Sequence, residues 1–559
     1  MESFKPMLFT CMKNYSKEQF FKDLVSGIIV AIIALPLSIA LALASGVGPE
    51  PGLYTAIVAG FLISFFGGST VQIAGPTAAF ATIVAGIIAT DGMDGLIIAT
   101  IMAGIILIIL GLVKAGALIK FIPYTITTGF TAGIAVTILI GQFKDFFGVD
   151  FRGEKPIETI DKLKVFFANI DSLNIQAMMV GIICLAVLII WPKFFSKIPA
   201  SIIAVFVSIG IVQGLHLNVN TIGTLYPDLK AGLPSLSVPH FSLAIVRNEM
   251  PNAFTIAILA AIESLLSAVV ADGMVNSKHR SNQELIGQGI GNIGSVLFGG
   301  IPATGAIART AANIKNGGRT PIAGMVHSIT LLIVLVVLMP YAKFIPMPCI
   351  AAILFQVAYN MSGWRGFVKQ CKFAPKSDII ILITTFALTV IFDLVVAIEV
   401  GIVLAAILFM KRMSEVTQVE GWKEVDADND PDSITLREIP KNTLVYEISG
   451  PMFFAAAGKI LQISPKKDTK VLVIRMRSVS AIDATAMNKL ELLYDDCRAR
   501  GIQLVLSHVN EQPLRVIEKS GFYEKVGKEN FCAHIDDALE RATKLAGEDK
   551  KETKKDEKK

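Results

Sequence analysis

The sequence predicts a polytopic α-helical membrane protein of about fourteen spans, arranged as two inverted seven-span repeats and followed by a cytoplasmic α/β domain. Three observations carry this. Only 17% of the 559 residues are charged and 53% are hydrophobic, with a mean hydropathy of +0.61, whereas a soluble domain carries about 25% charge to present a wet surface. The apolar residues fall in long uncharged runs. After Arg412 those runs stop, and strands alternating with helices begin. A water-soluble enzyme is thereby excluded, and no catalytic residue is assigned.

Residues 1–22 form a polar cytoplasmic segment. It holds Glu2, Lys5, Lys13, Lys17 and Glu18 but no apolar core, so no cleavable signal peptide is read and the first span directs insertion. The transmembrane domain is read as 23–412. No charge lies between Asp23 and Glu50, nor between Glu50 and Asp91. The second stretch accommodates two crossings at about twenty residues each, broken at Gly67-Gly68-Ser69-Thr70. Further charge-poor runs lie at 95–113, 121–143, 172–192, 198–227, 252–271, 285–308, 320–342, 344–364, 379–392 and 394–410. Two carry an acid, Glu263 and Glu399; the latter, near the start of its run, is read as interfacial.

Basic residues orient these spans. Lys22, the 114–120 connection, Lys193 and Lys197, Lys278 and Arg280, the 365–376 loop and Lys411-Arg412 fall on one side. The positive-inside bias makes that side cytoplasmic, with both termini, in a multi-pass protein of the inner (cytoplasmic) membrane. The loop 144–171 falls outside, and Arg319 is an exception in a loop expected to be external. Net charge is +5, from 51 Lys+Arg against 46 Asp+Glu, too small an excess for nucleic acid and suited to contact with membrane lipid. The six cysteines and six histidines are scattered, so neither a disulfide framework nor a metal site is expected.

Two stretches resemble each other. Phe66-Gly67-Gly68 precedes Ala74-Gly75-Pro76-Thr77-Ala78-Ala79-Phe80, and Phe298-Gly299-Gly300 precedes Ile307-Ala308-Arg309-Thr310-Ala311-Ala312-Asn313. Seven crossings per half would set them in opposite orientations. Glycines that only permit close helix packing are the plainer explanation. Paired broken helices in matching positions point instead to a midplane site, and helix N-termini with free N–H groups favour an anion. Pro76 suits a first helical turn. Arg309, a cation near mid-membrane, serves either a ligand or an acidic partner. Thr77 and Thr310 are hydroxyl donors at equivalent places, or caps of their own helices.

Glu263 lies in an apolar run with no basic neighbour in the local sequence. It is read as a proton-coupling carboxylate, a sodium ligand, or a structural partner of Arg309. Ser267, one turn on along the same face, is placed to help hold a proton or Na⁺. Asp272 is read as interfacial. Beyond the protons or sodium ions that would be co-transported, no cofactor is called for.

After Arg412, residues 413–436 read as a linker through Asp426-Ala427-Asp428-Asn429-Asp430-Pro431. The α/β domain is read as 437–545, with strands at 443–448, 471–476 and 502–506 and a helix at 486–500. Residues 546–559 form a charged low-complexity tail read as disordered.

The residues named so far resemble the SulP anion-transporter family, solute-carrier family 26 in animals. The resemblance runs from about residue 20 to 545. It is carried by Gly287-Gln288-Gly289, Gly291-Asn292, Phe298-Gly299-Gly300, Ala306-Ile307-Ala308-Arg309-Thr310 and Gly317-Gly318-Arg319-Thr320, with Leu35-Pro36 and Gly52-Leu53-Tyr54 in support. Glu263-Ser264-Leu265-Leu266, Asn360-Met361-Ser362 and residues 450–457 resemble the bacterial C4-dicarboxylate branch. The resemblance implies a core and a gate domain. It implies an anion held between the third and tenth spans, at 74–78 and 308–310, beside residues 36–41, with Glu263 as the coupling residue. Many animal members place Gln after the first-span proline and an aromatic four residues later. Here Leu37 and Leu41 stand there, which suits an anion with a carbon skeleton better than a bare halide.

The C-terminal domain resembles STAS domains. The phosphorylatable serine of the anti-sigma-factor antagonists is replaced by Ala484, next to Asp483, so Asp483 or Thr485 is read as a helix cap. Dimerisation, trafficking or a regulatory protein partner are the roles expected of it. The function expected is secondary active, proton-coupled uptake of sulfate or a C4-dicarboxylate such as succinate or fumarate. A sodium-coupled bicarbonate transporter, a passive anion channel and a membrane anion sensor are the rival readings.

Overall fold

The computed structural model describes residues 4–117, 123–154, 156–195, 198–227, 232–236, 239–240, 242–392, 394–421, 438–463 and 468–547. The chain divides into two compact units, Met1–Val403 and Leu404–Lys559. Ser16 opens the first long helix by accepting a hydrogen bond from the Gln19 N–H at 3.1 Å. That helix, α1, is Lys17–Ala44, and α2 is Pro49–Phe66. The short strand β1, Ala74–Gly75, leads into a 3-10 turn, Ala78–Phe80, and a helix, Ala81–Leu112, broken at Gly92 (φ 66°, ψ −159°). Only glycine adopts that backbone readily, and the two arms, 81–91 and 93–112, are α3 and α4. α5 is Tyr124–Gly141, α6 Ile175–Phe194 and α7 Ala200–Gly214.

The second half repeats this order. α8 is Met250–Val275, α9 Ser281–Leu297, β2 Thr304–Gly305 and α10 Ile307–Lys315. α11 is Ile322–Ala342, α12 Met347–Ser362, α13 Lys376–Ile391 and α14 Leu394–Val416. Among the described residues these supply the fourteen expected spans. α10 has only 9 residues, yet extended chain precedes it. Extended residues rise about 3.3 Å each against 1.5 Å in a helix, so 301–315 reaches about 33 Å, enough to cross.

Two halves meet at the strands. β1 and β2 pair antiparallel, Ala74 opposite Gly305 and Gly75 opposite Thr304. A local two-fold axis passes between the paired strands. The helices obey the same relation: α1 packs on α11 as α8 packs on Ala81–Leu112, and α2 packs on α9. Glycines also permit a close helix crossing between α4 and α9. There a Cβ on Gly104 would lie 2.8 Å from the Gly289 carbonyl oxygen, and one on Gly289 would lie 2.5 Å from that of Gly104. A second group forms around α5, which packs on α12 and α13, while α6 packs on α7 and α12.

Sidedness corrects one expectation. The Arg319 N–H donates to Asp23 Oδ1 at 2.9 Å, and Gln19 Nε2 donates to the Gly317 carbonyl at 3.1 Å. Arg319 therefore lies at the end of the bundle where α1 begins, with Lys22, and is no exception to the basic bias. The run read as 285–308 holds α9 and most of a return crossing, which hid one reversal.

In the second unit, β3 (Gln418–Gly421), β4 (Thr443–Ser449), β5 (Val471–Ser478), β6 (Gln503–Ser507) and β7 (Phe531–Cys532) form one sheet in that order, parallel except for β3. Residues 413–416 complete α14 and 418–421 form an edge strand, so the segment read as linker is structured as far as 421. The acidic stretch 426–431, the tail beyond 547, Lys120 and Lys197 lie outside the described residues. α15, Ala484–Ala499, is capped by Asp483, whose Oδ1 accepts from the Ala486 N–H at 2.8 Å. Burial pushes the Cys497 thiol on this helix up to about 11, making it a core residue without reactivity near neutral pH.

Candidate functional site

The site follows from how two broken crossings pass each other. Each begins as extended chain, pairs through two residues, then turns into a helix whose first N–H groups have no side-chain cap. A β-pair at mid-depth satisfies backbone groups that a helix break would leave bare. The uncapped ends carry partial positive charge.

Arg309 sits on the first turn of α10 and turns back over β1. Its Nη2 donates to the Pro76 carbonyl at 3.2 Å and to Ser38 Oγ at 3.4 Å, while Nε and Nη1 have no partner. It is only 2% exposed. Gly75 makes room for it: a Cβ there would stand 2.2 Å from Arg309 Nη1. No ion pair joins Arg309 to Glu263 or to another acid among the described residues, so the acidic-partner reading of both charges is not realised.

Glu263, half-buried on α8, faces the same crossing from the other side. Its Oε2 accepts from Thr77 Oγ1 at 3.0 Å and from Thr304 Oγ1 at 2.9 Å. The carboxylate thus bridges both halves of the inverted pair. One residue on, Ser264 Oγ accepts from the Gly305 N–H at 3.0 Å, which fixes β2 to α8.

The other expected residues distribute as follows. Gly75, Pro76 and Ala78 are buried in the first broken crossing, and Thr77 is half-buried at its turn. Ala308 is exposed at the opening of α10. Thr310 is buried, with Oγ1 accepting from the Ile73 N–H at 3.0 Å. Neither threonine caps its own helix. Leu37 is half-buried and Leu41 buried, while Ser38 between them reaches Arg309. Ser267 is buried with its Oγ unpartnered, and the hydroxyls that hold Glu263 come from Thr77 and Thr304. Thr304 and Ser38 were not singled out in the sequence, and Ser264 entered only within a motif of resemblance.

His327 on α11 is a further buried polar group, 0% exposed with both ring nitrogens unpartnered. Asp272 near the end of α8 accepts from Ser277 Oγ and the His279 N–H, consistent with a helix-end role. Among the described residues no group of His, Cys, Asp and Glu is arranged to hold a metal ion.

Two uncapped helix ends, a buried guanidinium and one hydroxyl-bound carboxylate, all at the crossing of inverted repeats, define a membrane transporter for small anions rather than an enzyme. Comparison with known proteins agrees. Residues 20–385 match the sulfate permease family and residues 433–538 match the STAS domain. The "Putative sulfate transporter YvdB" of Bacillus subtilis is 39% identical over 94% of this chain and 98% of its own. The "Bicarbonate transporter BicA" of a Picosynechococcus strain is 32% identical over 93% of this chain and 94% of its own. Among solved structures, SLC26A9 superposes with a TM-score of 0.85 at 19% identity over 97% of this chain and 93% of that one, a likeness of fold. The transmembrane domain of a cyanobacterial BicA gives 0.61 at 29% identity over 70% of this chain and 98% of that one. This chain belongs to the sulfate permease (SulP) family.

Proposed function

We propose that the protein is a proton-coupled importer of a small oxyanion, with sulfate the leading substrate. One observation carries the coupling: the Glu263 carboxylate on α8 accepts a threonine hydroxyl from each of the two broken crossings. Protonating Glu263 would remove a negative charge beside the anion and weaken that link, so the anion enters as the proton does. Arg309 acts through the field it places behind β1, without touching solvent, and the two helix ends supply the N–H donors. Sulfate, a C4-dicarboxylate and bicarbonate all fit a site that reads charge. Sulfate is preferred because the relative named as a sulfate transporter is the more similar of those compared.

Several features complete this reading. The protein would reside in the inner membrane with both termini cytoplasmic, as a homodimer, with its STAS unit available to a regulatory protein. The experiment is uptake into proteoliposomes with a panel of labelled sulfate, succinate, fumarate and bicarbonate, with and without an inward proton or sodium gradient. Wild type should accumulate sulfate only with the proton gradient. Glu263→Gln should abolish gradient-driven accumulation while leaving anion counterflow measurable. Accumulation by the variant as steep in pH as wild type would remove Glu263 from coupling, and accumulation driven by sodium alone would replace the proton.

A further inference from the structure

We propose a bound phospholipid at the edge of the membrane unit, its acyl chain between α1, α7 and α11 and its phosphate at Lys343. A groove of about 250 Å³ opens between these helices. Leu35 and Ile39 line it from α1, Val205 and Ile209 from α7, and Leu335 and Leu338 from α11. Every residue lining it is apolar except Tyr341, which bears a hydroxyl and is 64% exposed.

The α7 face that lines the groove through Ile202, Val205 and Ile209 continues one turn on to Val212 and Gln213, which line a second pocket. This one is polar, with His216, Asn218 and Lys343 in its wall. From 202 to 213 a helix rises about 16 Å, close to the roughly 15 Å depth of one bilayer leaflet. Lys343 is the first residue beyond α11, at the end opposite Arg319, where a headgroup would lie. Its backbone is fixed there: the Gly223 N–H donates to the Lys343 carbonyl at 2.9 Å, and the Ile222 N–H to that of Ile345 at 2.9 Å. Among the described residues its ammonium has no carboxylate partner, lying instead 5.1 Å from the Phe344 ring.

The occupant follows from chemistry and place. An apolar groove within membrane-spanning helices is bathed in acyl chains, which fill it without the cost of wetting it. An unpaired ammonium with amide donors at its interfacial end selects a phosphate. Because α1 and α11 belong to one helix group and α7 to the other, the acyl chain sits between groups that must shift if the protein alternates its access. Lipid at this place is a wedge between them.

The full-length protein in nanodiscs containing phosphatidylglycerol with a diazirine in its acyl chain provides the test. Irradiation and peptide mapping should place the label in segments covering 202–213 and 334–345. Lys343→Ala should reduce that label about fivefold, the attraction of one lysine near a lipid phosphate, while Lys343→Arg keeps it. Ile209→Trp should fill the groove and remove the label with Lys343 intact. A diacylglycerol probe with the same tail should label weakly. Even labelling over all lipid-facing helices, or unchanged labelling in both Lys343→Ala and Ile209→Trp, would overturn the site. Equal labelling by diacylglycerol would overturn the phosphate at Lys343.

Discussion

Arg309 keeps its place because residue 75 has no side chain. The guanidinium lies where a Cβ on that residue would be, 2.2 Å from Nη1, and its two hydrogen bonds, to Pro76 and Ser38, hold it against β1. Gly75→Ala would push the group away and break them. Hydrogen bonds from a charged donor are each worth about 1.5–3 kcal/mol. Displacing the charge from behind the site should weaken anion binding about tenfold, a change of about 1.4 kcal/mol. Isothermal titration of the detergent-solubilised variant with sulfate measures this, and an unchanged Kd would confine Arg309 to a structural role. Arg309 and Glu263 were legible in the sequence because a charge inside an uncharged run is conspicuous. The roles of Thr304, Ser264 and Ser38 were not. Hydroxyls are common in membrane helices, and only the contact with a carboxylate, a strand N–H or a guanidinium sets these three apart.

At the scale of elements, the fold depends on ties between segments distant in sequence. Asp23, fully buried near the start of α1, accepts from Tyr15 Oη at 3.0 Å, Gln19 Nε2 at 3.0 Å, the Arg319 N–H at 2.9 Å and Thr320 Oγ1 at 2.6 Å. It thereby fastens α1 to the connection between α10 and α11. Asp23→Ala would leave the Arg319 and Thr320 donors without an acceptor, a loss of about 1–3 kcal/mol for each that stays dry. The melting temperature in detergent should fall by several degrees, and Asp23→Asn, which keeps an acceptor oxygen, should lose less. Equal melting of all three proteins would show the tie to be dispensable. The span count was visible in the charge-poor runs, whereas the direction of Arg319 was not. A nine-residue helix on an extended lead leaves no separate run of its own.

For the whole molecule, the division into two compact units places all the residues proposed for the anion site in the first. Gly75, Thr77, Glu263, Thr304 and Arg309 lie within Met1–Val403, and among the described residues none of their hydrogen bonds reaches beyond it. The second unit has its own buried core on both faces of its sheet, with Leu472, Ile474 and Met476 on one side and Val471, Val473 and Val505 on the other. A unit with its own core folds and melts largely by itself. A chain ending after Val416, which keeps α14 whole, should therefore retain sulfate counterflow in proteoliposomes within about a factor of three of the full protein, since 1.4 kcal/mol would already be tenfold. Its thermal unfolding should lose one transition and keep the other. Counterflow that disappears from a truncated protein still melting cooperatively would mean the STAS unit takes part in the transport cycle, and the anion site in the first unit would then be complete in chemistry yet unable to move.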